Sequence, residues 1–120
     1  MTPLEIESTR NTPQVFLDKE APIFSISGVS MPSNASSFFQ PIIDWMKEYA
    51  QNPLAETLLI IRLEYYNTAS TKYLLALMQL LESVRGASVV WYYPADQTEI
   101  ALEIEEFEEL VKIPVMKQSY

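Results

Sequence analysis

Apolar and polar residues alternate in the early part of the chain and later recur every three or four positions, so the pattern changes from strands to alternating strands and helices. Gln14-Val15-Phe16-Leu17-Asp18 and Pro22-Ile23-Phe24-Ser25-Ile26-Ser27-Gly28 have a period of two, with Phe24 and Ile26 on one face. Joined by Lys19-Glu20-Ala21, they predict a hairpin. Leu4 and Ile6 suit a short edge strand. After Met31-Pro32, the residues Phe38, Ile42, Trp45 and Tyr49 fall at helical spacing. That helix is capped by Ser33 or Asn34 and ended by Asn52-Pro53, with Pro41 expected near its first turn, where a missing N–H costs least.

Leu58-Leu59-Ile60-Ile61-Arg62-Leu63 is an almost unbroken apolar run, as expected of a central strand covered on both faces. A helix is predicted over Tyr73 to Arg85, with Leu74, Leu77, Met78, Leu81 and Val84 inward and Gly86 as the C′ residue that ends it. Ala87 to Tyr93 reads as a strand, and Glu99 to Val111 as a helix burying Ile100, Ile104, Phe107 and Val111. Ile113-Pro114-Val115-Met116 closes as a short extended segment. The order β-β-α-β-α-β-α-β predicts parallel later strands joined by right-handed crossovers. The expected fold is α/β: a single-domain mixed β-sheet over residues 1–120, with helices packed mainly on one face.

Composition narrows the function. With 120 residues and 48% hydrophobic content the chain fills one core. Cysteine and histidine are both absent, which removes disulfides, thiolate metal sites, cysteine nucleophiles and Ser-His triads. The two glycines, Gly28 and Gly86, form no phosphate-cradling loop. The chain is therefore expected not to be an enzyme, and no cofactor or metal is assigned. A formal charge of −8 repels phosphate backbones and anionic headgroups, arguing against nucleic acid and membrane surfaces. No signal-peptide pattern opens the sequence and no apolar run approaches the ~18 residues of a membrane span, so no membrane insertion and a cytoplasmic location are expected. Glu103, Glu105, Glu106, Glu108 and Glu109 crowd the last helix and read as its solvated face.

The segment that carries chemistry is Tyr65-Tyr66-Asn67-Thr68-Ala69-Ser70-Thr71-Lys72, between the most apolar strand and the most apolar helix. In open α/β sheets, function gathers at the carboxyl ends of strands, where a following helix begins. Thr68, Ser70 and Thr71 place hydroxyls there, and such residues are also the preferred helix caps. One can cap while another is modified, because a phosphoryl group at a helix start meets the positive end of the dipole and free N–H donors. Among Tyr65, Tyr66, Trp91, Tyr92 and Tyr93, alternation turns at least one of each run away from the helix layer, and an exposed aromatic here suits a partner hot spot. The helix from Tyr73 has more apolar residues than one core-facing stripe needs, which fits either a docking face or complete burial.

Leu63-Glu64-Tyr65-Tyr66-Asn67-Thr68-Ala69-Ser70-Thr71-Lys72 resembles the Leu-Glu-Tyr-Asn-Thr-Ser-Ser-Lys type of signature of the SiaC family of bacterial regulatory phosphoproteins. The resemblance runs from Thr12-Pro13 through Gly28-Val29-Ser30-Met31-Pro32-Ser33-Asn34, Phe39 and Trp45 to Trp91-Tyr92-Tyr93, Asp96 and Glu106-Phe107. It implies a STAS-like fold, similar to anti-sigma-factor antagonists, and a phosphorylated threonine matching Thr68. Tyr65, Tyr66, Asn67, Ser70, Thr71 and Lys72 would form the switch loop and partner-binding surface. It further implies a threonine kinase, a PP2C-type phosphatase and a diguanylate cyclase of the GGDEF type as partners, with the unmodified form activating cyclic-di-GMP synthesis and biofilm formation. A STAS-like anti-sigma-factor antagonist in another partner-switching cascade is the alternative. Met31, Ala69 and Ile104 depart from the family pattern, and none of them is Thr68.

Overall fold

The computed structural model describes residues 1–21 and 23–120; Pro22, expected to open the second hairpin strand, lies outside the described residues. Its elements are β1 (Leu4–Ile6), β2 (Gln14–Leu17), β3 (Ile23–Ser30), α1 (Ala35–Gln51), β4 (Thr57–Tyr66), α2 (Thr68–Leu81), β5 (Ala87–Tyr93), α3 (Thr98–Leu110) and β6 (Val115–Ser119). The strands form one sheet in chain order. β1, β2 and β3 run antiparallel as successive hairpins, and β3, β4, β5 and β6 are parallel. Because each parallel strand lies beside the previous one in the same direction, crossovers of one hand carry α1, α2 and α3 to the same face.

That topology corrects the reading of β4 as covered on both faces. Leu59, Ile61 and Leu63 are fully buried under the helices, whereas Leu58 and Ile60 are half-buried and Arg62 is exposed on the open side. Phe24, Ile26, Val89 and Trp91 continue the buried layer across β3 and β5. The helices meet it with Phe39, Ile42, Met46 and Tyr49 of α1, Leu74, Leu77, Met78 and Leu81 of α2, and Ile104 of α3.

Several boundaries move for local reasons. Asn34 is the N-cap of α1, its Oδ1 accepting the Ser37 N–H at 3.1 Å. Pro41 therefore stands in the second turn, not the first, and its missing N–H falls on the exposed side of the helix. Phe39 takes the fully buried place expected for Phe38, which packs edge-on against it at 5.1 Å. Helix α2 starts at Thr68 and stops at Leu81 with Glu82 as C-cap. Gly86 is consequently not its C′ residue; with φ of +80° it makes a separate turn into β5. The last strand runs Val115–Ser119, later than expected, because β5 pairs it through Tyr93.

Candidate functional site

Strand β4 reaches the site through a bulge. Gly28 pairs with Leu63 and Val29 with Tyr65, so Glu64 is the extra residue. The alternation slips there: Glu64 and Tyr65 are both exposed, Tyr65 at 52%, and Tyr66 turns back beneath the helices at 8%. Tyr65 is thus the outward aromatic that alternation called for. Tyr66 packs against Trp91, which also packs against Phe107 of α3, and its hydroxyl donates to Glu103.

The next residues are a helix start, not a loop. Asn67 is the N-cap of α2, and its Oδ1 accepts both the Ser70 N–H at 2.9 Å and the Ser70 hydroxyl at 2.7 Å. Ser70 is fully buried; its Oγ also lies 2.8 Å from Ser30 Oγ and 3.0 Å from the Ser30 carbonyl, while the Asn67 N–H donates to that carbonyl at 3.0 Å. A hydroxyl has one proton, so Ser70 donates to one acceptor at a time and Ser30 Oγ–H can supply the bond between the two serines. This network locks the end of β3 to the first turn of α2. Thr71 donates its hydroxyl to the Thr68 carbonyl at 2.6 Å and is half-buried. Thr68, the first residue of α2, has an exposed side chain, and the N–H groups of Thr68 and Ala69 make no hydrogen bond among the described residues.

Thr68 lines a groove of about 410 Å³ between α2 and α3. Asn67, Thr71, Lys72 and Leu75 share its α2 wall, and Glu103, Glu106, Phe107 and Leu110 form the α3 wall, with Tyr66 at its base. Of the residues expected at the site, the structure brings Tyr66, Asn67, Thr68, Thr71 and Lys72 together here. Tyr65 is not among the lining residues, and Ser70 is buried behind them. Among the described residues no three His, Cys, Asp or Glu side chains gather to hold a metal ion, and no helix is long and apolar enough to cross a membrane.

Residues 6–120 match the family described as SiaC family regulatory phosphoprotein. The chain belongs to the SiaC family. An uncharacterized protein of Pseudomonas aeruginosa strain UCBPP-PA14 is 32% identical over 124 residues, covering 100% of this chain and 98% of that protein. The crystal structure of apo-SiaC from Pseudomonas aeruginosa is similar with a TM-score of 0.88 at 33% identity, over 98% of this chain and 99% of that one. SiaC in the crystal structure of the diguanylate cyclase SiaD in complex with its activator SiaC, from the same organism, gives 0.90 at 31% identity, over 98% and 99%.

In this SiaC family member the site residues that motif reading left without a role are Ser30, Leu75, Glu103, Glu106 and Leu110. Ser30 stands within Gly28-Val29-Ser30-Met31, but nothing local shows that its side chain meets Ser70, because β3 and α2 approach only in the folded chain. Leu110 did leave a signal: it lies off the Ile100–Ile104–Phe107–Val111 stripe, and it is 58% exposed.

The Tyr66–Glu103 bond has a pH signature. Burial first, and then the hydrogen bond to Glu103 and the negative charge beside it, push the Tyr66 phenol well above its ordinary range. The folded state then holds this proton more tightly than the unfolded state, so this contribution is fully present below about pH 10, the ordinary tyrosine value, and is lost as pH rises above it. Denaturant titrations from neutral pH upward should show Tyr66→Phe about 1 kcal/mol less stable than wild type at pH 7, with the gap closing in alkali. Lys117, raised by its hydrogen bond to Glu105, loses stability in the same direction in both proteins and leaves the comparison intact. A gap that widens above pH 10 would contradict the assignment.

Proposed function

We propose that this chain is a phosphorylation-switched activator of a diguanylate cyclase, acting in the cytoplasm and having no catalytic activity of its own. The unmodified form binds and activates the cyclase, raising cyclic-di-GMP and promoting biofilm formation. A threonine kinase modifies Thr68 and releases the cyclase; a PP2C-type phosphatase restores the binding form. The reading is supported by family membership over nearly the whole chain and by a solved relative that is a cyclase's activator. On the chain itself, the observation that carries it is the exposed Thr68 at the start of α2, on the wall of the groove.

A phosphoryl group on Thr68 adds about −1.5 to −2 charges at neutral pH. It would share the groove with Glu103 and Glu106, with Lys72 as the one cation among the lining residues. A partner seated there would have to desolvate that group with little compensation, which favours binding of the unmodified form. The absence of His, Cys and a glycine-rich phosphate loop supports a binding role over a catalytic one.

The test is a titration of the cognate GGDEF cyclase with unmodified and fully phosphorylated protein, read as both affinity and cyclase rate. Unmodified protein and Thr68→Ala should bind and stimulate, and the phosphorylated form should bind at least ~10-fold more weakly. Equal affinities, or tighter binding by the phosphorylated form, would sink the mechanism. Recovery of a kinase-type anti-sigma factor as the bound partner, with no cyclase, would move the chain to another partner-switching cascade.

A further inference from the structure

We propose that Ser30 and Ser70 are positioning residues for the phosphorylation of Thr68: their buried hydroxyl pair clamps the start of α2 to the end of β3 and so fixes the backbone that presents the Thr68 hydroxyl to the kinase. The inference rests on the reading that Thr68 is the modified residue, and it adds what holds that residue in a reactive pose. Among the described residues Ser30, Thr57 and Ser70 are the buried serine and threonine side chains, and no charged side chain is buried. Two of these three meet at one place, 40 positions apart in the chain, where the switch residue begins its helix. Burying a hydroxyl costs free energy unless it is hydrogen-bonded, and a pair of apolar side chains of similar size would pack there without that demand. What the hydroxyls supply instead is direction.

The bonds converge on the residues to either side of Thr68. Asn67, just before it, is held at its N–H, which donates to the Ser30 carbonyl at 3.0 Å, and at its Oδ1, which accepts from Ser70. Ser70, two residues after Thr68, is held by Ser30 Oγ at 2.8 Å. With Ser30 donating to Ser70 Oγ, the Ser70 proton is left for Asn67 Oδ1 at 2.7 Å, nearer than the Ser30 carbonyl at 3.0 Å. The end of β3 is itself anchored, because Ser30 pairs with Tyr66 and the Met31 N–H donates to the Asn11 carbonyl at 2.7 Å. Thr68 and Ala69 stand between the clamped residues, and their own N–H groups make no hydrogen bond among the described residues. The placing of Thr68 thus follows from its neighbours. Transfer of the γ-phosphoryl group of ATP forms a bond from Thr68 Oγ1 to phosphorus, breaks the bond from phosphorus to the ADP oxygen and gives the hydroxyl proton to a base of the kinase. A misplacement of ~1 Å can cost such a step up to about 100-fold in rate. Both serines are fully buried, so neither touches the kinase, and their removal reaches the reaction through the position of Thr68.

The experiment is single-turnover phosphorylation by the cognate threonine kinase with ATP and magnesium, read as the maximal rate and the half-saturating kinase concentration. It compares wild type, Ser70→Ala, the double variant Ser30→Ala/Ser70→Ala and Tyr49→Phe, each also unfolded in urea. Tyr49→Phe removes the other buried hydroxyl pair, Tyr49–Thr57 at 2.6 Å, at the opposite end of β4. Ser70→Ala leaves the Ser30 hydroxyl without its partner; removing both relieves this, so the double variant should be the more stable of the two and carries the test alone if the single variant does not fold. Ser70→Ala and the double variant should both be slowed roughly 10-fold at saturation, with half-saturation within about twofold of wild type. Tyr49→Phe should keep the wild-type rate in spite of its lost stability. The proposal is overturned if the serine variants reach the wild-type rate, or if rate follows stability, so that the double variant recovers and Tyr49→Phe slows. It is also overturned if half-saturation alone shifts, since the pair would then support the kinase's docking surface and not the reacting hydroxyl. A wild type that gains no mass at Thr68 removes the underlying reading and is distinct from all of these outcomes.

Discussion

Gly86→Ala should be among the most destabilising single substitutions in this chain, lowering stability by about 2–4 kcal/mol. Two independent penalties coincide at this position. Its φ of +80° is left-handed backbone, which costs a residue with a Cβ about 1 kcal/mol or more. The added Cβ would also stand 2.4 Å from the Ala55 carbonyl oxygen, a backbone atom that moves only if the start of β4 moves with it. The Gly86 carbonyl accepts the Thr57 N–H at 3.2 Å, so the same shift would disturb the first rung between β4 and β5. Gly28 provides the comparison. It too has a positive φ, +114°, but a Cβ there meets only Pro13 Cα at 3.8 Å, an ordinary contact. Thermal and urea unfolding should therefore rank Gly86→Ala below Gly28→Ala, and equal losses at the two positions would show that the collision adds no more than the extra backbone strain at Gly28, whose φ lies farther from the left-handed helical region.

Gly86 also shows where the sequence was legible and where it was not. A glycine after a helical run signals a chain reversal, and a reversal is there; but the helix had already ended at Leu81, because Glu82 to Arg85 form turns whose apolar member, Val84, is buried as a helical residue would be. Periodicity reports which side chains face the core and cannot tell a final helical turn from a turn that happens to present its residue inward. The same limit explains Phe38 and Phe39, adjacent rings of which either could begin the buried stripe. The run Leu58–Leu63 misled for another reason: two of its three outward residues, Leu58 and Ile60, are apolar, so alternation was hidden but for Arg62, and only the order of strands showed that one face has no helices.

The site was more legible than its surroundings. Thr68 at the helix start follows from local chemistry, but the cap does not: a hydroxyl of Thr68, Ser70 or Thr71 was expected to cap, and Asn67, just before them, does so. The bulge at Glu64 was not legible: two consecutive tyrosines give no sign of which turns inward, and the pairing of Gly28 with Leu63 and Val29 with Tyr65 decides it. The α3 wall was invisible because its partners lie far away in sequence. Glu103 looked like one more solvated acid, and it accepts the Tyr66 hydroxyl.

Thr68→Ala should abolish the kinase-dependent gain in mass, leaving neither Ser70 nor Thr71 as a substitute. Ser70 Oγ is fully buried among Asn67 Oδ1, Ser30 Oγ and the Ser30 carbonyl. Presenting it to a kinase would break that network and strip the cap from α2, at a cost of about 1–3 kcal/mol for each polar group left unsatisfied. Thr71 is half-buried, and its hydroxyl is directed back to the Thr68 carbonyl at 2.6 Å. Thr68 has neither constraint, and alanine at the first helical position keeps the Asn67 cap intact, so the variant should lie within about 0.5 kcal/mol of wild type in stability. Thr68→Ser, which keeps a hydroxyl at the same exposed position, should retain the mass gain. The measurement is intact mass with and without the kinase, followed by peptide mapping, on wild type and both variants. A gain that persists in Thr68→Ala and maps to Thr71 would mean that the helix start opens when the kinase binds, so that exposure in the free protein does not choose the site. A gain mapped to Ser70 would mean further that the Ser30–Ser70 lock gives way, and the coupling of β3 to α2 would then be part of the switch.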